Sequence, residues 1–366
     1  MSTDKWTLEE VCEKGSSSLM QKNLKLGTGA FPIYGASGLL GFVDFYHRQE
    51  EYIGIVKDGA GVGRAMLLPA QSSCIGTMQY LIPNQNVTAH YLYYAIQNMN
   101  LAKYNTGATI PHIYFRDYKR ESIPKRSIQE QEIISEKIDK VENIIKIKRE
   151  QLSHLDDLVK SQFIEMFGDP VLNPYNWPIV NIGEIAIDVR YGTSKPAVEG
   201  GQYPYLRMNN LTYEGFLDLS NMKYIDIPDD EIEKYIVRKG DILFNRTNSI
   251  DLVGKTCVFD LDEAMIIAGY IIRIRLNDKL LPVVFSNYMN LPVLKKRLRN
   301  MAKGAVNQAN INAQELKSVR IYLPPIKLQN QFAAFVEQTD KSKFRIKQNL
   351  EKLEILYKSL LQEYFG

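Results

Sequence analysis

The 366-residue chain is poor in the residues that build catalytic and metal centres. Its three cysteines, Cys12, Cys74 and Cys257, are far apart and odd in number. That excludes a disulfide framework and argues for a reducing compartment; with the acidic, polar start MSTDKWTLEE it predicts a cytoplasmic protein. The four histidines (His47, His90, His112, His154) form no HxxxH pair and the cysteines no CxxC pair, so no metal site is expected. No apolar run reaches the ~18 residues needed to span a bilayer, so no membrane partner is expected. No Gly-x-Ser-x-Gly nucleophile motif, Walker loop or paired-carboxylate nuclease signature is found. A net charge of +3 singles out no partner, and 45% hydrophobic with 24% charged residues describes an ordinary globular chain. Its length predicts two or three domains.

What is present is one phrase written twice. Residues 158–168 read LVKSQFIEMFG and residues 356–366 read LYKSLLQEYFG. Upstream, Pro124-x4-Gln129-x-Gln131 recurs as Pro324-x4-Gln329-x-Gln331. Repeats this far apart are not a solenoid. They divide the chain into two halves, each a globular part followed by a long helix.

Between Pro124 and Phe167 there is no Gly and no further Pro, which favours one long helix. Apolar residues recur three or four apart at Ile138, Val141, Ile145, Leu152, Leu155, Val159 and Met166. The second copy has Phe332, Val336, Ile346, Leu350, Leu353, Tyr357, Leu360 and Tyr364. Lys148, Gln162, Thr339 and Lys343 interrupt the stripes. A seam of this kind predicts a partner helix, and the economical partner of each copy is the other; antiparallel pairing would give the chain an approximate two-fold axis, parallel pairing would set the two globular parts side by side. Gly168 and Gly366 fit helix stops. About 40 helical residues would make a rod about 60 Å long. With 8 Lys/Arg against 9 Asp/Glu in 124–168, that rod reads as a solvated spacer rather than a DNA grip.

Segments 1–123 and 169–323 read as short strands broken by glycine turns. Trp6-x-Leu8-x-x-Val11 opens one and Trp177-x-Ile179-x-x-Ile182 the other. Gly107-Ala108-Thr109 and Gly304-Ala305-Val306 stand near their ends. The fold expected is α+β: two strand-rich domains, 1–123 and 169–323, separated by paired helices at 124–168 and 324–366, an internal duplication with pseudo-two-fold character.

Two motifs invite a catalytic reading. Asp58-Gly59-Ala60-Gly61-Val62-Gly63 follows a predicted strand, as in loops that hold S-adenosylmethionine, but no helix-length segment follows. A glycine hairpin is the better reading. Asn173-Pro174-Tyr175-Asn176 resembles the Asn-Pro-Pro-Tyr motif of amino-methyltransferases without its second proline; a linker turn is the better reading.

The remaining chemistry is basic, amide-bearing and aromatic. The first part offers Lys57, Arg64, Gln79, Lys103, Tyr104, Asn105, Thr106, His112, Tyr114 and Arg116. The second offers Arg207, Asn209, Asn210, Asn245, Arg246, Thr247, Asn248, Lys255, Lys303, Asn307, Gln308, Asn310 and Asn312. Arg pairs bidentately with guanine, Asn and Gln pair with adenine, and Lys and Thr hold phosphates. For any single member, a solvated loop or a turn-capping Asn is the competing reading. Lys295-Lys296-Arg297-Arg299 is expected on the outer face of a helix.

Two variable globular parts alternating with two repeated helices, each opened by the Pro-x4-Gln-x-Gln phrase, form a distinctive plan. Phe31-Pro32-Ile33-Tyr34-Gly35-Ala36-Ser37-Gly38 stands in the first part, and Lys239-Gly240-Asp241-Ile242-Leu243 precedes Arg246-Thr247 in the second. Together these resemble the specificity (S) subunits of type I restriction-modification systems, over the whole chain. The resemblance implies that the globular parts are target-recognition domains, each reading half of a bipartite double-stranded DNA target. It implies that the helices pair antiparallel and set the gap, and that two methyltransferase (M) subunits and further restriction (R) subunits join. The S subunit itself would be non-catalytic and hold no cofactor; S-adenosylmethionine, ATP and magnesium belong to the partners. A stand-alone adenine methyltransferase and a two-domain helical scaffold without a DNA role are the alternatives.

Overall fold

The structure, a computed structural model, describes residues 4–27, 29–106, 111–305 and 308–366, with 303–305 described by backbone alone. Two helices dominate, Ile128–Phe167 and Ile326–Phe365, each 40 residues long. The first begins where Ser127 and Glu130 cap one another: the Ser127 N–H donates to the Glu130 carboxylate (2.8 Å) and the Glu130 N–H to the Ser127 hydroxyl (3.3 Å). It ends at Gly168, which has φ +81° and is closed in by Pro174, so a side chain there would be both strained and crowded.

The chain forms two compact units. One holds the residues up to Glu150 together with Ile346–Gly366; the other is Gln151–Arg345. Each unit thus joins one strand-rich part to half of each long helix.

In the first unit, four strands lie in the order β2 (Cys12–Ser16), β8 (Met78–Pro83), β5 (Tyr52–Val56) and β6 (Ala65–Leu68). A second sheet orders β4 (Gly38–Val43), β3 (Phe31–Gly35) and β7 (Ser73–Cys74), with β3 and β7 parallel. β1 (Lys5–Thr7) pairs with β9 (Ser122–Pro124) at the entry to the long helix. The core gathers Leu8, Ile53, Ile55, Tyr91 and Ile123 with Ile134 and Ile138 of the first long helix and Leu361 and Phe365 of the second. Lys137 Nζ donates to Tyr364 Oη (3.3 Å) and Arg149 pairs with Glu354 (2.7 Å), so these helix segments run antiparallel.

The second unit repeats this plan. β11 (Ala186–Tyr191), β19 (Ile271–Leu276), β15 (Ile242–Asn245) and β17 (Thr256–Val258) form the four-stranded sheet. β13 (Lys223–Ile225), β12 (Tyr203–Leu206), β18 (Met265–Ile267) and β14 (Ile236–Val237) form the second, again with one parallel pair, β12 and β18. β10 (Ile179–Asn181) pairs with β22 (Arg320–Tyr322). A small third sheet joins β16 (Thr247–Asn248), β21 (Gln308–Asn310) and β20 (Lys303–Ala305). Here the helix segments meet through Phe163, Phe167 and Phe332, whose ring centroids lie 4.8–5.3 Å apart. All three are fully buried, and truncating one to Ala would cost roughly 3–5 kcal/mol.

The helix seam is buried at Ile138, Val141, Ile145 and Val159; Leu152, Leu155, Ile346, Leu350, Leu353, Tyr357 and Leu360 are half-buried. Thr339 and Lys343, the polar interruptions of the second stripe, are buried. Lys343 is accommodated because its ammonium pairs with Asp156 (2.7 Å) and Asp340 (3.5 Å). Toward the end of the second helix, Leu361 and Phe365 are buried more deeply than Leu360 and Tyr364, because the Phe365 ring packs on Tyr91 of the first core (4.9 Å).

The repeat needs one correction of register. The matched phrases set Gln129 against Gln329, but the structure sets Gln131 against Gln329. Each is fully buried and makes the same bonds at its helix start. The two-residue difference between the copies lies ahead of the helices, not within them.

The singled-out motifs are folding devices. Phe31–Val43 is a hairpin closing between Gly35 and Gly38. In Lys239-Gly240-Asp241, Gly240 takes φ +92° and the nearly buried Asp241 carboxylate binds Arg275 Nε (2.9 Å) and accepts the Arg238 N–H (3.0 Å). Asn173 brackets Trp177: its side-chain oxygen accepts the Trp177 N–H (3.0 Å) and its amide donates to the Trp177 carbonyl (2.9 Å). This is the turn reading of Asn173–Asn176. No described helix is long and apolar enough to cross a membrane.

Candidate nucleic-acid interface

In the first unit, β5 runs into the 57–64 loop, which returns directly as β6 with no intervening helix. Val62 N–H donates to Gly59 O and Arg64 N–H to Gly61 O, so the three glycines build consecutive turns. This is the hairpin geometry, not a cofactor loop. Gly63 takes φ +84° and passes so close to the Leu101–Ala102 backbone that a Cβ would sit 2.5 Å from Ala102 N. The Arg64 guanidinium reaches across to the Ala36 carbonyl, tying this loop to the β3–β4 turn.

The rest of the first surface is set by a latch. His112 N–H donates to the Asn105 side chain (3.0 Å), and Thr106 N–H donates to His112 O (3.1 Å). Beyond it stand His112, Tyr114 and Arg116 in sequence. The His112 and Tyr114 rings meet edge-on at 5.0 Å, and the Arg116 guanidinium lies 4.7 Å over Tyr114. Arg116 is 77% exposed and Tyr114 44%, so this cation–aromatic ladder faces solvent. Lys103 and Tyr104 instead bind Glu121. Burial alone would raise the Glu121 carboxyl, but hydrogen bonds from Lys103 and Tyr104 outweigh it and hold it below its usual range. Gln79 is interior and bonds Tyr118 Oη (2.7 Å).

In the second unit the amide-rich loops divide into builders and presenters. Asn245 is fully buried; its amide donates to the Thr247 and Tyr270 carbonyls (3.1 Å each) and its oxygen accepts from Asn248 (2.8 Å). Asn210 is 2% exposed and binds the Arg207 N–H (2.9 Å) and the Asp218 carbonyl (2.8 Å). Asn312 caps the Ala313–Lys317 helix. Thr247 bonds Asn310 Oδ1 (2.8 Å), and Arg207 donates to Asn221 O (2.9 Å). Lys255 is buried, donates to Leu211 O (2.9 Å), and has its amine pushed down by burial. For Asn210, Asn245 and Lys255 the structural reading therefore replaces base reading, since their polar groups are spent inside the fold; Asn312 is half-exposed and spends its side-chain oxygen on the cap. Asn209 and Gln308 remain exposed, and Arg246, Asn248 and Asn310 half-exposed. Asn307 and the side chain of Lys303 lie outside the described residues.

Sequence reasoning missed two residues. Tyr191, at the end of β11, lies 4.9 Å beneath the Arg246 guanidinium and accepts the Ala313 N–H (2.7 Å). Tyr270, 48% exposed, precedes β19, and its carbonyl accepts the Arg246 N–H (2.9 Å). Only the β11–β19–β15 pairing brings them beside Arg246; nothing in their sequence spacing signals it. The 295–299 run also departs from expectation: Lys295 is 3% exposed, its ammonium bound to the Tyr213 carbonyl, and Arg299 bonds Tyr213 Oη (2.6 Å). The helix face carrying both turns inward under the 213–217 loop. Among the described residues, no cluster of His, Cys, Asp or Glu is arranged to hold a metal.

The family model of the type I restriction modification DNA specificity domain matches residues 3–156 and again 174–355. The chain is 25% identical over 297 residues to the EcoKI specificity subunit of Escherichia coli (strain K12), covering 76% of this chain and 64% of that protein. It is 28% identical over 196 residues to the putative MjaX specificity subunit of Methanocaldococcus jannaschii, covering 52% and 46%. It thus spans less than two thirds of the length of these curated relatives. Its fold is similar to that of the S subunit of a type I restriction-modification system from M. genitalium, with TM-score 0.58, 16% identity, and 99% and 96% of the two chains covered. A chain from a structure of type I R-M complex assembly gives TM-score 0.55 at 18% identity, with 99% and 97% covered. With the family profile matched once in each half and the strand-rich plan built twice, this chain belongs to the type I restriction modification DNA specificity family.

Proposed function

We propose that the chain is the sequence-reading subunit of a type I restriction-modification complex. Each strand-rich part reads one half of a bipartite double-stranded DNA target, and the paired helices set the gap and dock two M subunits. R subunits join that complex. S-adenosylmethionine, ATP and magnesium serve the partners, and this chain contributes recognition without chemistry. The observation that carries the reading is the duplicated backbone frame with unlike exposed side chains at its loops. A His112–Tyr114–Arg116 ladder stands in one half and Arg246 with Tyr191 and Tyr270 in the other. Equal frames with unequal contacts suit an asymmetric target, because base edges in the major groove are told apart by the side chains presented to them.

The test is methylome sequencing of cells expressing this chain with its M subunit. The expected result is one asymmetric, two-part adenine methylation motif that disappears when this chain is deleted. A motif that persists without the chain would refute the reading.

A further inference from the structure

The two halves hold one backbone position in the same way. At the end of β5, Lys57 N–H donates to Thr77 O (3.1 Å) and Lys57 O accepts from Ile113 N–H (3.0 Å). At the end of β15, Arg246 N–H donates to Tyr270 O (2.9 Å) and Arg246 O accepts from Ile311 N–H (2.8 Å). The preceding residues match as well. Val56 bonds Arg64 O and Gly63 N–H, as Asn245 bonds Lys255 O and Gly254 N–H. The following residues also match, Asp58 bridging to His112 and Thr247 pairing with Asn310.

A residue pinned on both sides by its main chain has a fixed Cα, and only its side chain remains adjustable. In both halves that side chain is a long cation. Neither is consumed by a strong internal bond. Lys57 stands 3.7 Å from Asp58, a partly exposed pair worth little. Among the described residues no carboxylate pairs with Arg246; its Nη1 makes only a 3.4 Å contact with Gly269 O, and its Nε is enclosed without a partner. The Tyr191 ring supports the guanidinium from one side at 4.9 Å. A planar fork backed by an aromatic ring is oriented before it meets a ligand, which lowers the ordering cost of bidentate binding.

We infer that Lys57 and Arg246 are equivalent base-reading residues, each addressing the O6/N7 edge of one guanine in its own half-site. Tyr191 is the positioning residue for Arg246. The inference rests on the DNA-reading function proposed above. It gives that function a symmetry: the two guanines stand at matching places in the two half-sites. The Arg246 guanine is read more strictly, because a fork makes two directed bonds where an ammonium acts as a point charge.

The complex with M subunits tests this through methylomes of Lys57→Ala and Arg246→Ala and through methylation rates on duplexes with single base changes. Arg246→Ala is expected to relax one guanine in one half of the motif, with discrimination there falling on the order of ten- to a hundredfold. Lys57→Ala should relax one guanine in the other half. Arg246→Lys should keep the guanine preference in weaker form, showing that the domain still folds. Tyr191→Ala should lose discrimination at the Arg246 guanine only, with no further loss when combined with Arg246→Ala; a merely structural role would blur several positions. An unchanged bipartite motif in both alanine variants, or relaxation of the same half by both, overturns the assignment while leaving the function standing. A wild-type complex that methylates no bipartite motif overturns both.

Discussion

Gln131 and Gln329 make the same three hydrogen bonds in the two halves of the chain. Each side-chain oxygen accepts the N–H of the residue capping a short helix, Thr88 or Leu281, at 2.8 Å. Each side-chain amide donates to two main-chain carbonyls, those of Asn86 and Arg126 (2.8 and 3.0 Å) or Lys279 and Pro324 (2.9 and 2.8 Å). One buried side chain thus fastens a strand-rich part to its long helix.

Replacing either glutamine by leucine keeps the volume and strips the bonds. Three main-chain groups then lose a partner in a dry environment, where each orphan costs roughly 1–3 kcal/mol. Gln131→Leu and Gln329→Leu should each lower the denaturant midpoint by an amount equivalent to at least about 2 kcal/mol. A midpoint within error of wild type for both would show that water replaces the lost partners.

Lys295 supplies a pH signature. It lines a cleft of about 810 Å³ beneath Tyr213, and burial pushes its amine down from 10.5 to about 8, against the opposing pull of Glu214. Below pH 8 the folded chain carries a buried ammonium; between about 8 and 10.5 it binds fewer protons than the unfolded chain. Stability therefore rises with pH across that window. Lys295→Met removes the titration, so its stability relative to wild type should fall steadily as pH rises from 8 to 10.5. Urea melts of both proteins at pH 7, 9 and 10 read this directly. A difference independent of pH would mean the ammonium is not desolvated.

The spacer role proposed for the helices has a length readout. Matched heptad insertions between Glu150 and Gln151 and between Arg345 and Ile346 add about 10 Å to each helix. That corresponds to about three base pairs of duplex. The methylation motif should keep both half-sites and widen its gap by about that number. A gap of wild-type length in the variant's methylome would remove the helices from the measurement of DNA.

Of the candidate site, the sequence revealed the chemistry better than the placement. Arg246, Tyr114 and Arg116 could be named because long cations and aromatics in loops stand out by type. Asn210 and Asn245 stood out equally, yet they are buried and spent on turns. An amide that reads a base and an amide that closes a loop have the same local signature. Tyr191 could not be named at all, since its relation to Arg246 passes through two intervening strand pairings.

The sequence by itself determined the duplication, the two uninterrupted helices and the apolar stripes along them. These depend on local rules: no helix breakers, three-four spacing and a terminal glycine. Tertiary structure alone decided which repeated glutamines are equivalent and that Lys343 belongs inside the helix pair. It also decided that Lys57 and Arg246 occupy one backbone position. Each of these is a matter of partners far apart in the chain, and hydrogen bonds and ion pairs of that kind leave no periodicity for a sequence to display.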